Sequence, residues 1–175
     1  PTQALLDIYS VFKEKGSLDG LTYAICGDLK YGRAPHSLLD AITKFDIKKV
    51  ILASPEELRM PQENIERIKK LGIEIEECFD LDYAAKNADV IYMTRVQRER
   101  FSSVEEYERN KNLFIMGKRH IEMFVKGAII LHPLPRVNEI EVEVDEYPGA
   151  AYFRQAGNGL PTRMALLALV TGSVK

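Results

Sequence analysis

Two arginines in this chain follow apolar runs: Arg33 closes the string Gly-Asp-Leu-Lys-Tyr-Gly-Arg at 27–33, and Arg95 stands in Thr-Arg-Val-Gln at 94–97. Two more polar strings are placed in the same way, His-Pro-Leu-Pro-Arg at 132–136 and Arg-Gln-Ala-Gly-Asn-Gly at 154–159. A guanidinium is a planar, permanently charged fork that holds a carboxylate through two parallel hydrogen bonds. Arginines concentrated at strand ends therefore predict an arginine-rich pocket for a small, multiply charged anion.

The glycines at 27 and 32 have the spacing of a phosphate-cradling loop, but that loop ends in Lys followed by Ser or Thr, and here Arg33 and Ala34 follow. Without the lysine and the magnesium-binding hydroxyl, nucleotide hydrolysis is disfavoured. What remains is an arginine at a helix start, where free backbone N–H groups already attract anions; the bland alternative is a surface arginine covering a strand end. Arg95 and Gln97 are two apart on an extended run, so both side chains leave one face. Together they suit a carboxylate beside a neutral polar edge, the alternative being an ion pair between Arg95 and Asp89. In the string at 132–136 the two prolines remove N–H groups and leave carbonyl oxygens as acceptors for an amide NH₂. The Leu134-Pro135 bond is a candidate for the cis form, against an ordinary turn. His132 reads as structural, His36 and His120 more so, and Asn158 as the cap of a final helix. No serine, cysteine or histidine is arranged for nucleophilic attack and no carboxylate pair for acid–base work.

The elements that must position these groups follow from periodicity. Apolar runs at 21–26, 50–53, 73–75, 90–93 and 128–131 read as strands buried on both faces, and helical spacing lies between them at 37–45, 62–71 and 81–87. Such alternation predicts an α/β fold, three layers around a five-stranded parallel sheet with right-handed crossovers. Ligands in such sheets bind beyond the carboxyl ends of the strands where the order reverses, and order 3-2-1-4-5 sets the three marked ends side by side. A stripe of Ala4, Leu5, Ile8, Tyr9 and Phe12 predicts a first helix ending at Gly16, and 160–170 predicts a last one. The charged stretch at 98–112 reads as an exposed loop with a helical portion, with a closing lid as the bolder alternative.

A chain of 175 residues is expected to form one domain. Its net charge of -2 offers no basic field to gather nucleic acid or an anionic membrane surface. Cys26 and Cys78 lack the close pairing of zinc or disulfide frameworks and read as buried thiols in a reducing cytoplasm. The most apolar stretch, 164–170, is far shorter than the ~20 residues of a membrane span. The chain starts with Pro1 rather than Met, directly in helical periodicity, which leads to the expectation that it is cut from a longer polypeptide.

Taken together, the strings resemble the catalytic chain of aspartate carbamoyltransferase, in its second, aspartate-binding half. The resemblance runs from Pro1 to about Val170 and is carried by five motifs in order: Pro-Thr-Gln-Ala-Leu-Leu-Asp at 1–7, the string at 27–33, 94–97, 132–136, and Tyr-Phe-Arg-Gln-Ala-Gly-Asn-Gly at 152–159. It implies transfer of a carbamoyl group from carbamoyl phosphate to the amine of L-aspartate, on the way to pyrimidines, with no cofactor. By that resemblance Arg33 and Arg95, assisted by Gln97, hold the aspartate carboxylates. Gln3 touches the carbamoyl group, and the carbonyls of Leu134 and Pro135 accept from carbamoyl phosphate. The family's phosphate-binding motif belongs to a first half that this chain does not contain, so the chain alone is expected to be inactive. The whole enzyme is expected to be a cytoplasmic homotrimer, with regulatory chains or fusion to other enzymes left open.

Ala34 and Pro35 stand where the family usually has Thr and Val, and Pro161 where it usually has an aromatic or similar residue; a proline in the first helical turn is tolerated. Ornithine carbamoyltransferase is the near alternative, but its loop reads His-Cys-Leu-Pro where this chain has Pro133. A non-catalytic module that docks through the two terminal helical stripes is the alternative from another class.

Overall fold

The structure is a computed structural model and describes residues 2–95, 101, 103–110 and 114–173. In chain order its elements are α1 (Thr2–Lys15), β1 (Thr22–Cys26), α2 (Arg33–Ile42), β2 (Lys49–Ala53), α3 (Gln62–Lys69), β3 (Ile75–Cys78) and α4 (Leu81–Asn87). There follow β4 (Val90–Met93), α5 (Val104–Asn110), α6 (Lys118–Ile121), β5 (Ile129–Leu131), α7 (Tyr152–Gly157) and α8 (Gly159–Val170). The five strands form one parallel sheet in the order 3-2-1-4-5 expected from the positions of the polar strings.

Strand alternation divides the core in two. Tyr23, Ile25, Val50, Leu52, Val90, Tyr92, Ile129 and Leu131 face α2 and α3 with Leu38, Leu39, Ile42, Ile65 and Ile68. Ala24, Cys26, Ile51, Ala53, Ile91, Met93 and Ile130 face the other layer, with Ala84, Phe114, Met116 and Tyr152. The four strands β1, β2, β4 and β5 are predominantly apolar because both of their faces are covered.

Strand β3 departs from the sequence reading, which put it at 73–75. It runs from Ile75 to Cys78 and is half-exposed throughout, being the sheet edge. Its two glutamates pair outward, Glu76 with Lys49 at 2.7 Å and Glu77 with Arg59 at 2.9 Å, so no apolar run marks it. Charge on an edge strand also discourages pairing with another sheet. Helix α2 starts four residues before the predicted 37, and Cys78 is only half-buried while Cys26 is fully buried.

Helix α1 also differs in its packing. Its buried face is Ala4, Leu6, Asp7, Ser10 and Val11, whereas Leu5, Tyr9 and Phe12 from the predicted stripe are exposed. On α8, Leu160, Met164, Leu167, Leu169 and Val170 are exposed too, most at 60% or more. Asn158 does precede α8, but its side chain does not cap it. The Asn158 amide instead donates to Ser10 Oγ at 2.9 Å and accepts from Lys13 Nζ at 3.3 Å, tying α8 to α1. Among the described residues no helix is long and apolar enough to cross a membrane. The charged stretch at 98–112 contains α5, as its helical portion required, and the rest of it falls largely outside the described residues.

Candidate active-site cleft

Strands β1 and β4 are hydrogen-bonded neighbours from which the sheet grows in opposite directions, so the segments that leave their carboxyl ends diverge and open a crevice. Gly27 allows the two ends to touch. It sits at φ +107°, and a Cβ there would lie 2.4 Å from the carbonyl oxygen of Thr94. Thr94 in turn donates its hydroxyl to the carbonyl of Cys26 at 2.8 Å. Asp28, 2% exposed, accepts the N–H groups of Lys30 at 3.2 Å and Tyr31 at 2.9 Å, and so turns the chain toward α2. Pro35 in the first turn of α2 removes an N–H that has no partner within the helix.

The crevice has a volume of about 670 Å³, and Gln3, Arg33, Arg95, His132, Leu134 and Pro135 line it. Two arginines far apart in sequence thus line one cavity. Arg33, at the first position of α2, is exposed, and Arg95 is half-buried. Among the described residues neither forms an ion pair, and Asp89, the alternative partner of Arg95, accepts the N–H of Thr22 at 2.9 Å. Gln97 lies outside the described residues.

The arginine content is lower than the four strings implied, because Arg136 and Arg154 are engaged elsewhere. Arg136 forms a fork with both oxygens of Asp145 at 2.5 and 2.6 Å and lies over the rings of Tyr152 and Phe153. Arg154 forms a second fork with Glu14 at 2.7 and 2.8 Å. Each is a structural clasp rather than a pocket wall.

The loop at 132–135 lines the same crevice. Its Leu134-Pro135 bond is cis, and Leu134 has φ +53°, an uncommon conformation for a residue with a side chain. His132, 2% exposed, holds the turn from beneath: its Nδ1 accepts the N–H of Leu134 at 2.8 Å. The proton therefore belongs on Nε2, which faces Glu139 Oε1 at 2.8 Å. Burial pushes the Glu139 carboxyl up, but His132 and the N–H groups around it outweigh that and hold it below the ordinary value. With its ring nitrogens committed in this way, His132 is the structural residue its sequence context indicated.

A second buried network was not legible beforehand. Asp7, fully buried, accepts from Gln3 Nε2 at 2.7 Å, from Gln155 Nε2 at 2.6 Å and from the Tyr92 hydroxyl at 2.9 Å. Gln155 Oε1 then accepts the N–H of His132 at 2.8 Å. Burial pushes the Asp7 carboxyl up to about 6 against the lowering effect of its three donors.

Comparison with known proteins bears on what this cleft belongs to. Residues 19–170 match the family model described as aspartate/ornithine carbamoyltransferase, Asp/Orn binding domain. The chain belongs to that family. Across 173 residues it is 49% identical to the aspartate carbamoyltransferase catalytic subunit of Methanopyrus kandleri, a match that takes in 98% of this chain and 56% of that protein. The catalytic subunit of M. jannaschii aspartate transcarbamoylase superposes with a TM-score of 0.89 at 42% identity, covering 99% of this chain and 57% of the other. Aspartate transcarbamoylase from Trypanosoma cruzi, solved with carbamoyl phosphate and aspartate, gives 0.88 at 40% identity, over 95% and 55%. The chain therefore spans a little more than half the length of these carbamoyltransferase relatives.

Proposed function

We propose that this chain is the aspartate-binding half of an aspartate carbamoyltransferase, which moves the carbamoyl group of carbamoyl phosphate to the amine of L-aspartate and releases N-carbamoyl-L-aspartate and phosphate in pyrimidine biosynthesis. The observation that carries the reading is that Arg33 and Arg95 line one cleft together with the proline-rich turn at 132–135. Arg33 and Arg95, with Gln97, hold the two aspartate carboxylates. The carbonyls of Leu134 and Pro135 and the amide of Gln3 accept the carbamoyl NH₂. Relatives named for aspartate, together with Pro133 where the ornithine enzyme has cysteine, favour the dicarboxylate over a cationic substrate.

Held this way, the aspartate amine attacks the carbamoyl carbon. A C–N bond forms, the tetrahedral oxyanion collapses, the C–O bond to phosphate breaks, and the amine sheds a proton. Positioning two bound reactants accounts for a large part of such acceleration, and donors aimed at the oxyanion supply much of the rest. Those donors belong to a carbamoyl-phosphate domain that precedes this one, so this domain alone does not turn over. The exposed apolar side chains of α1 and α8 are what a domain missing its partner leaves uncovered. The parent enzyme is a homotrimer on the same family reading.

The test is to titrate succinate, an unreactive dicarboxylate, into the domain with and without the carbamoyl-phosphate domain, and to assay carbamoyl transfer in both. Activity only with both halves supports the reading. Binding of the dicarboxylate by neither preparation overturns it.

A further inference from the structure

We propose that Asp7 is a positioning residue that fixes which end of the Gln3 amide faces the cleft. The inference rests on the carbamoyl phosphate reading above and goes beyond it by naming a residue that no ligand touches.

An ionised carboxylate can only accept hydrogen bonds. Asp7 Oδ1 receives both the Gln3 and the Gln155 amide nitrogens, at 2.7 and 2.6 Å, and Oδ2 receives the Tyr92 hydroxyl at 2.9 Å. Gln3 must therefore turn its NH₂ toward Asp7, which leaves Oε1 to face the cleft that Gln3 lines. A carbamoyl group offers an NH₂, so an acceptor is the group that recognises it, in company with the carbonyls of Leu134 and Pro135 assigned to it above. A reversed amide would oppose donor to donor. The same carboxylate fixes the turn itself, because Gln155 passes its own orientation to the N–H of His132 at 2.8 Å. One buried carboxylate thus aligns two walls of the carbamoyl subsite, α1 and the loop after β5. Its neighbours α1, β4 and α7 supply the three donors, and it is fully buried beneath the cleft floor.

The readout is discrimination between carbamoyl phosphate and acetyl phosphate, which differ by NH₂ against CH₃, measured as the ratio of their affinities in the full-length enzyme at pH 8. Gln3→Ala lowers the ratio about tenfold, and Asp7→Ala lowers it to a similar level while acetyl phosphate affinity stays within about twofold. Asp7→Asn keeps the ratio, since its oxygen can face both amides while its NH₂ meets the Tyr92 hydroxyl. In the double variant Gln3→Ala/Asp7→Ala the ratio falls no further than in Gln3→Ala alone. An unchanged ratio in Asp7→Ala, or a double variant in which the two losses multiply, overturns the inference. An unchanged ratio in Gln3→Ala overturns the carbamoyl reading beneath it. If Asp7→Ala does not fold, the unsubstituted enzyme with ¹⁵N-labelled glutamine decides. Gln3 amide protons shifted downfield and slow to exchange support the proposal, and protons at free-amide positions overturn it.

Discussion

Gly27 and Thr94 approach so closely that a Cβ on the glycine would lie 2.4 Å from the threonine carbonyl oxygen. The contact joins the ends of β1 and β4, and those two ends lead to Arg33 and Arg95. A side chain at Gly27 must therefore part the strands that bring the arginines together, and it would also have to adopt φ +107°, which L residues rarely do. Gly27→Ala is expected to lower stability by about 3 kcal/mol in denaturant unfolding, combining backbone strain with overpacking. A loss below about 0.5 kcal/mol would show that the contact is not required.

Arg33 and Arg95 are expected to act on one substrate. In the full-length enzyme, Arg95→Ala and Arg33→Ala should each raise the aspartate KM about 10- to 100-fold, since each charged hydrogen bond is worth about 1.5–3 kcal/mol. The carbamoyl phosphate KM should change far less. Arg95→Lys should rescue little, because an ammonium keeps the charge but loses the planar fork. Steady-state kinetics with each substrate varied in turn checks this, and equal effects on both substrates would contradict the assignment.

Where the sequence was legible, burial on two faces had forced a pattern. Val50, Ile51, Leu52, Val90 and Ile91 form continuous apolar runs because helices cover both sides of the sheet, and the polar strings after β1, β4 and β5 revealed the strand order. Where burial was partial the pattern faded. The sequence 75–78 forms an edge strand around two ion-paired glutamates, and helix α1 turns Leu5, Tyr9 and Phe12 outward while Asp7 and Ser10 go in. Those polar residues are buried because Gln155 and Asn158, about 150 positions later, meet them, and no local spacing encodes such a partner. Arg136 and Arg154 misled for the same reason: Asp145 and Glu14 decide where they point, and only the fold brings the latter pair together.

Glu139 predicts a pH effect of definite sign. Its folded pKa is depressed, so the stability it confers is present above about 4.5, where an unfolded glutamate ionises, and is lost as pH falls through its lower folded value. Glu139→Gln should remove that acid-side slope. It should also cost about 1–3 kcal/mol at neutral pH, because its Oε2 accepts the N–H groups of Val137 and Asn138, at 3.0 and 3.1 Å, and an amide cannot accept on both ends. Unfolding midpoints measured between pH 3 and 7 test both statements, and parallel curves for the two proteins would refute the first.

Asp7 should produce the opposite slope. Its pKa rises from 3.8 to about 6 on folding, burial being the main cause, so the folded state binds the extra proton between those values. The associated stability is fully present below 3.8 and disappears as pH climbs through 6, a loss on the order of 3 kcal/mol at about 1.4 kcal/mol per pKa unit. Asp7→Asn cannot titrate. The stability of this variant relative to the unsubstituted protein should therefore increase by that amount from pH 3.5 to pH 7, measured by urea unfolding at each pH. A constant difference would mean that the carboxylate titrates alike in both states, and that its three donors offset burial completely.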